Sequence, residues 1–280
     1  MTTYETPTPI SLTLEGDMIN LRVVASERSD TTVEVTPTND GSERDVRTAK
    51  NTQVTLSGGR LLVKAPKSRS VFNKSGGIDV AVELPSGSAL NSNAPMIHID
   101  GQGRLGDVTV KTSMGTIQLD ETGAAALKTG FGDIRVDRAR GTEHHFTSGT
   151  GRIDLGEVDG PTTVKNSNGD TAVGEINGRL QVKSANGRIS VDTAHSDVTA
   201  TSASGGIRIG RVERGSVRFE TSVGQLEIGI AEGTAAWLDV STKAGSVRNE
   251  LGASAGPDAT KETVEVRGRT SAGDIIVHRA

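Results

Sequence analysis

Lys165-Asn166-Ser167-Asn168-Gly169-Asp170, Lys183-Ser184-Ala185-Asn186-Gly187-Arg188 and Thr201-Ser202-Ala203-Ser204-Gly205-Gly206 are three passes of one pattern. Working outward from it, equivalent glycines fall at Gly115, Gly132, Gly151, Gly169, Gly187, Gly205, Gly224 and Gly245, then at Gly273 after a longer gap. Successive steps run from 17 to 21 residues, with 28 before the last, so the chain carries a repeat of about 18.

Each repeat can be aligned on its glycine. Three residues earlier stands a small polar residue every time: Thr112, Thr129, Ser148, Asn166, Ser184, Ser202, Thr221, Thr242 and Thr270. Five earlier an apolar column runs through Val110, Leu127, Phe146, Val164, Val182, Ala200, Phe219 and Val240. Two and four residues later come pairs such as Ile117/Leu119, Ile153/Leu155, Ile189/Val191 and Ile207/Ile209. A spacing of two marks a strand with one buried face. Between strands, the hydroxyl or amide can bond nearby backbone and glycine permits positive φ. Each repeat therefore holds two short strands and two turns.

The predicted fold class is all-β, a β-solenoid with coils of about 18 residues and an N-terminal β-rich cap. An antiparallel β-meander or sandwich is the alternative, because Asn-Gly turns also join hairpins. Agreement between coils at outward as well as inward positions favours stacked coils, since a meander has no use for it.

Residues 1–75 lie outside the 18-residue register. Ile10/Leu12/Leu14, Ile19/Leu21/Val23, Val33/Val35, Val54/Leu56 and Leu61/Val63 alternate like short strands, and Asn39 to Asn51 reads as a loop. This region is expected to cap the solenoid, whose bare end would expose unpaired backbone. Residues 76–280 are assigned to the coils, opening at Gly76-Gly77-Ile78-Asp79-Val80, with a loop inserted around 250–263. A coil near Ile97/Ile99 would place Pro95 in the glycine column and so must turn differently. Chain order makes Gly273 the glycine of the terminal coil, where substitution should be better tolerated than at Gly187.

The N-terminal strands followed by iterated Ser/Thr-x-x-Gly-x-Ile-x-Val units resemble the bacterial "putative adhesin" family of β-strand-repeat proteins, a domain of unknown function. The resemblance covers nearly the whole chain. It implies the architecture and carries no catalytic or binding residues across.

Composition narrows the partners. Apolar residues make up 33% and aromatics 2% of 280 residues, which suits many thin layers better than one thick core. The net charge is −4, with signs mixed and no basic stripe interleaved with aromatics, so nucleic acid is not an expected partner. Cysteine is absent, which removes disulfides and thiolate chemistry. Met1 to Pro7 has neither a basic n-region nor an apolar h-region, and no apolar run approaches the ~18 residues that span a bilayer. The expectation is a cytoplasmic protein without membrane insertion, with a surface location unsupported.

Several motifs invite chemistry. Gly101-Gln102-Gly103-Arg104-Leu105-Gly106 fits the dinucleotide fingerprint, but a strand, Val108-Thr109-Val110, follows where a helix N-terminus should hold the pyrophosphate. Among the histidines, His98, His144, His145, His195 and His278, no metal-ligand spacing is evident. His144 shares an inward column with Leu180, Val198 and Val217. His195 reads as a solvated turn residue beside Asp192, Ser196 and Asp197, without an orienting carboxylate in view. Asp133 with Asp154, or Asp170 with Asp192, could serve as paired carboxylates. The simpler account is a ladder of alternating charge through Asp133, Arg152, Asp170 and Arg188. The polar column is read as turn capping rather than an ice-binding face, and Trp237 as a packing residue beside Leu238.

The expected function is therefore non-catalytic: a binding or scaffold solenoid for an unidentified protein or surface partner, with no catalytic, cofactor-binding or metal-ligating residues and no cofactor. A carbohydrate-active β-helix enzyme is the first alternative. A self-assembling structural protein, associating end to end, is the second.

Overall fold

A computed structural model describes residues 1–67, 76–252 and 262–280. The chain is all-β, and its contacts divide it into two units, Met1–Gly141 and Thr142–Ala280. Most of the expected 250–263 loop, including Gly256-Pro257, lies outside the described residues. One helix is present among them, Glu43–Lys50, whose Ser42 cap accepts the Asp45 N–H. None is long and apolar enough to cross a membrane.

The second unit shows the coil logic most plainly. The strands His144–Thr150, Thr162–Asn168, Leu180–Asn186, Val198–Ser204 and Gly215–Val223 form one parallel ladder. The strands Ile153–Asp159, Thr171–Ile176, Ile189–Ala194, Ile207–Val212 and Leu226–Ile230 form a second. Parallel pairing between successive repeats excludes the meander, in which neighbours would run antiparallel. Equivalent residues face each other without slippage: Phe146, Val164, Val182, Ala200 and Phe219 stack as one fully buried column. Volumes compensate along it. Phe219 is followed by Gly268, where a Cβ would come within 2.9 Å of the Phe219 ring.

The glycine column is the tightest contact between coils. Gly187 has φ +133°, and a Cβ there would fall on the carbonyl of Gly169, 2.6 Å from its carbon. The polar column solves the other half of that contact. Asn166 Nδ2 donates to the Gly151 carbonyl at 3.0 Å, Thr221 Oγ1 to Gly205 at 3.0 Å, and in the first unit Thr129 Oγ1 to Gly115 at 3.1 Å. The same side chains also cap their own turns, as expected: Asn166 Nδ2 donates to the Gly169 carbonyl at 3.0 Å and Thr221 Oγ1 to that of Val223 at 3.3 Å. That is why these polar side chains sit almost wholly buried without unmet demand. The exceptions are the Ser184 and Ser202 hydroxyls and Asn166 Oδ1, which are buried with no partner.

The coils do not stack in chain order at either terminus. In the second unit, Thr263–Ala272 lies between Gly215–Val223 and Ala235–Ala244, and Ile275–Arg279 lies between Leu226–Ile230 and Val247–Asn249. Thr270 accordingly bonds Gly224, and Thr242 bonds Gly273. Gly273 is thus an interior glycine and Gly245 belongs to the outermost coil, which corrects the tolerance expected of Gly273. In that coil Leu238 and Val240 are only half-buried and Val247 is 45% exposed, since no further layer of the described residues pairs with it.

The first unit intercalates in the same way. Ser11–Glu15 and Met18–Ser26 form a coil that lies between Arg60–Lys64 with Ile78–Pro85 on one side and the two halves of Ala89–Arg104 on the other. Val108–Met114 with Ile117–Thr122, then Ala125–Phe131 with Ile134–Arg140, continue the stack. Antiparallel strands finish its other end: Asp30–Pro37 on Ile78–Pro85, Thr2–Glu5 on Asp30–Pro37, and Gln53–Ser57 on Arg60–Lys64. Pro95 is not in the glycine column. Met96 pairs with Met114, so the position of Gly115 is held by Ile97, and the chain runs through as one 16-residue strand instead of turning.

Two comparisons test this packing. Gly233 also has positive φ but nothing within 4 Å of its Cβ position. Gly233→Ala should cost the conformational term alone, about 1–2 kcal/mol, whereas Gly187→Ala should add overpacking of roughly 1–3 kcal/mol. Equal losses in chemical denaturation would refute the close-stacking account. Likewise Thr221→Val should destabilise by about 1 kcal/mol or more by stripping the Gly205 carbonyl of its donor, while Ser202→Ala should be neutral or mildly stabilising. A reversed order in the two denaturation midpoints would show that the column bonds do not hold the coils.

Candidate functional site

Three outward rows lie side by side on one face of the first unit. They arise because strands in register repeat their outward positions at the strand spacing, about 4.8 Å. The charged row runs Glu34, Ala81, Arg22, Asp100, Gln118 over five neighbouring strands. Two residues along, a polar row runs Thr36, Asp79, Asn20, His98, Thr116. Two residues further, Met18, Met96 and Met114 align with Phe131.

The first two rows line a cleft of about 380 Å³. Glu34 and Thr36 of the antiparallel strand Asp30–Pro37 line one end of it, and Ala81 is the one small side chain of the charged row. The polar row is internally bonded. Asp79 Oδ1 accepts from Asn20 Nδ2 and from Thr38 Oγ1, both at 2.7 Å, and His98 Nδ1 lies 3.0 Å from Thr116 Oγ1. Nδ1 also accepts the Thr116 N–H at 3.3 Å, which leaves Nε2 to carry the ring proton. The charged row is not bonded. Arg22, Glu34, Asp100 and Gln118 are all exposed and make no side-chain hydrogen bond or ion pair with the described residues. Elsewhere on the outer faces, by contrast, Arg135 pairs with Asp137, Arg208 with Glu227, Arg218 with Glu220 and Arg269 with Asp239.

The Met–Phe row is an exposed apolar border in an aromatic-poor chain, with Met114 48% and Phe131 61% exposed. The same position in the second unit holds Thr150, Asn168, Asn186 and Ser204, where Asn186 Nδ2 donates to Asn168 Oδ1 at 3.0 Å. The coil does not require apolar residues at that corner.

The residues singled out from sequence are distributed as follows. In the second unit Arg152, Asp170 and Arg188 do share one column, one coil apart. Within that column Arg152 also reaches Asp154, two residues along, at 2.6 Å, and Asp170 accepts the backbone N–H of Arg188 at 2.8 Å. Asp133 and Asp154 belong to different units. Asp192 lies one coil from Asp170 and four positions along the strand, near Arg208, so those two acids do not converge. His144 is buried, with Nε2 2.7 Å from the Asp159 carbonyl and its ring stacked on Phe146. Gly103 of the fingerprint-like stretch ends a strand, donates its N–H to Asp120, and leads into the next strand. Trp237 is 57% exposed rather than packed, with the Arg267 guanidinium 6.0 Å above its ring. Among the described residues, no group of three or more His, Asp or Glu is placed to hold a metal.

His195 differs most from its expected setting. Its Nε2 lies 2.7 Å from Glu175 and its Nδ1 2.8 Å from Glu213, each carboxylate reaching from a neighbouring coil. The orienting carboxylates were missed because they stand about one period before and after it in the sequence. With both ring nitrogens engaged by acids, His195 has no free nitrogen for a nucleophile, so the trio is a staple across three coils. The Glu213 hydrogen bond, then that of Glu175, raises the His195 pKa against the opposing effect of burial. The same bond, foremost, lowers that of Glu213, with Arg211 adding to it. Arg214 Nε donates to the His195 carbonyl.

A sequence profile described as Toastrack DUF4097 matches residues 10–277. No curated protein matches. Among solved structures, a "putative adhesin" from Parabacteroides merdae is similar over 81% of this chain and 94% of its own, at 11% identity and a TM-score of 0.44. Another from Bacteroides fragilis covers 99% and 95%, at 11% identity and 0.31. A third, from Parabacteroides distasonis, covers 98% and 95%, at 12% identity and 0.31.

The staple has a signed pH dependence. A His pKa raised on folding contributes stability that is fully present below the unfolded value near 6.5 and is lost as pH rises through the folded value. Melting temperatures of the wild type and His195→Gln should therefore converge between mildly acidic and mildly alkaline pH. Parallel curves would refute the staple.

Proposed function

This chain belongs to the Toastrack DUF4097 family, a domain of unknown function, and from that premise we propose that it is a non-catalytic binding module whose recognition surface is the cleft of the first unit. One observation carries the reading. A ligand-sized concavity gathers Arg22, Glu34, Asp100 and Gln118 in one row with none of them partnered by a side chain of the described residues. Unspent donors and acceptors around a small side chain are what recognition of a polar ligand requires. The internally bonded row beneath, Asp79 with Asn20 and Thr38, is a rigid support for them.

The carbohydrate-active reading has one observation in its favour, since Glu34, Asp79 and Asp100 all line the cleft. Hydrolysis needs one acid that carries a proton and a second placed across the scissile bond. Asp79 Oδ1 is already engaged by two donors, Asn20 Nδ2 and Thr38 Oγ1, which hold it within the row rather than across a scissile bond. End-to-end self-association draws on the outermost coil, where Ala235–Ala244 has a single strand partner among the described residues.

Saturation-transfer NMR with a library of sugars, amino acids, polyamines and short peptides tests the proposal. Hits on the wild type should vanish in Ala81→Leu, which fills space in the cleft while leaving the melting temperature unchanged. Hits that persist in that variant place recognition elsewhere. Turnover of a polysaccharide that disappears in Glu34→Gln would make the protein an enzyme.

A further inference from the structure

The composition of the charged row says more about the ligand than that it is polar. Arg22 stands next to Asp100, one strand away, yet the two do not pair. On its other side comes Ala81, then Glu34. The row thus offers a cation and an anion separated by one small residue, with a second anion behind the cation. At about 4.8 Å per strand, the Arg22 and Glu34 backbones are anchored roughly 10 Å apart across Ala81.

We infer that the cleft takes a small zwitterion of the α-amino-acid type, its carboxylate on Arg22 and its ammonium on Glu34, over Ala81. This rests on the binding role proposed for the cleft. The dimensions agree. Charge-assisted bonds of about 2.8 Å at each end, plus roughly 3 Å between the charged groups of an α-amino acid, span about 9 Å. The guanidinium presents a planar fork suited to a carboxylate. Asp79, one row away and one strand from the Glu34 strand, places a further acceptor on the ammonium side. A singly charged ligand would satisfy one end and leave the other desolvated opposite nothing, which selects against it. An anion alone would also meet Asp100, Asp79 and Glu34 around a lone Arg22. A cation alone would leave Arg22 facing it.

Calorimetric titration of the full chain separates these cases with named probes: L-alanine, ethylammonium and acetate for the two charges together and apart, and dialanine for the same charges set farther apart. Saturable binding is expected for L-alanine, with the two half-ligands at least about tenfold weaker. Arg22→Gln and Glu34→Gln should each weaken L-alanine binding by about tenfold or more. Both are exposed positions, and unchanged melting temperatures would show that the fold is intact. Preference for dialanine would reassign the ligand to peptide termini and overturn the α-amino-acid form. Half-ligands that bind as well as L-alanine, or variants with unaltered affinity, overturn the inference outright. If sugars or polyamines bind in an Ala81-dependent way while L-alanine does not, the inference fails and the cleft's role stands. If no probe binds in the cleft, both fail.

Discussion

The carbonyl of one coil's glycine occupies the place a Cβ would take in the next coil, and everything regular in this protein depends on that contact. It demands glycine on one side and, in most coils, receives a donor on the other, Ser184 and Ser202 being the exceptions. The donor comes from the residue three positions earlier, as with Thr221 to Gly205 and Thr242 to Gly273. A slip of one residue would drive a side chain into the carbonyl and remove its donor together. It would also turn every inward residue outward, because the side-chain period of a strand is two. Register is therefore fixed twice over, by the close approach and by the buried face.

A register held this firmly lets a chain with almost no aromatic residues keep a core. Each coil contributes only a few small aliphatic side chains, and each is buried by its neighbours above and below. Full burial of such a side chain is worth about 1.5–3 kcal/mol. The outermost coil of the second unit shows the dependence directly. Leu238 and Val240 occupy the same columns as Val217 and Phe219, which are fully buried, yet they remain half-exposed. Burial here is a property of the stack rather than of the residue. Intercalating the strands from each terminus anchors them between two layers, where fraying would require separating both.

What could be read from the sequence was whatever the glycine contact writes into residue types. Period, strands, inward columns and the polar column are all visible because each needs a particular kind of side chain. Stacking order is different, since parallel ladders carry no mark of chain order. Nothing in Gly273 distinguishes an interior coil from an end coil, and Ile97 hides its coil by replacing the glycine with a residue that runs straight through. The cleft was hidden for the same reason. Its rows draw on Arg22, Glu34, Ala81 and Asp100; Ala81 and Asp100 are joined through Arg22 of the out-of-order coil 11–26, and Glu34 enters by an antiparallel pairing with Ala81. The His195 partners were within reach. Glu213 stands one period after it and Glu175 slightly more than one before, so reading outward columns across coils would have brought them together.

Repetition also explains why the cleft lies where the repeat breaks. Stacked coils with the same outward residues give a face that is uniform along its axis, and a uniform face has no one place to bind. Two departures end the uniformity in the first unit. An antiparallel strand, Asp30–Pro37, takes over from the parallel ladder at Ile78–Pro85 and brings Glu34 and Thr36 to the cleft. The intercalated coil then sets residues from four distant stretches of chain in one row, so their types are free to differ. Some outer charges of the regular coils pair or bond neighbouring backbone, as Asp170 does with Arg188. In the cleft, Arg22 and Asp100 stand adjacent in register without pairing with each other. Local irregularity of this kind costs nothing in the glycine column, which begins at Gly115, beyond the strands that build most of the cleft. Stability and recognition are thereby assigned to different parts of the repeat, and the side chains of the cleft are free to be chosen for what they face.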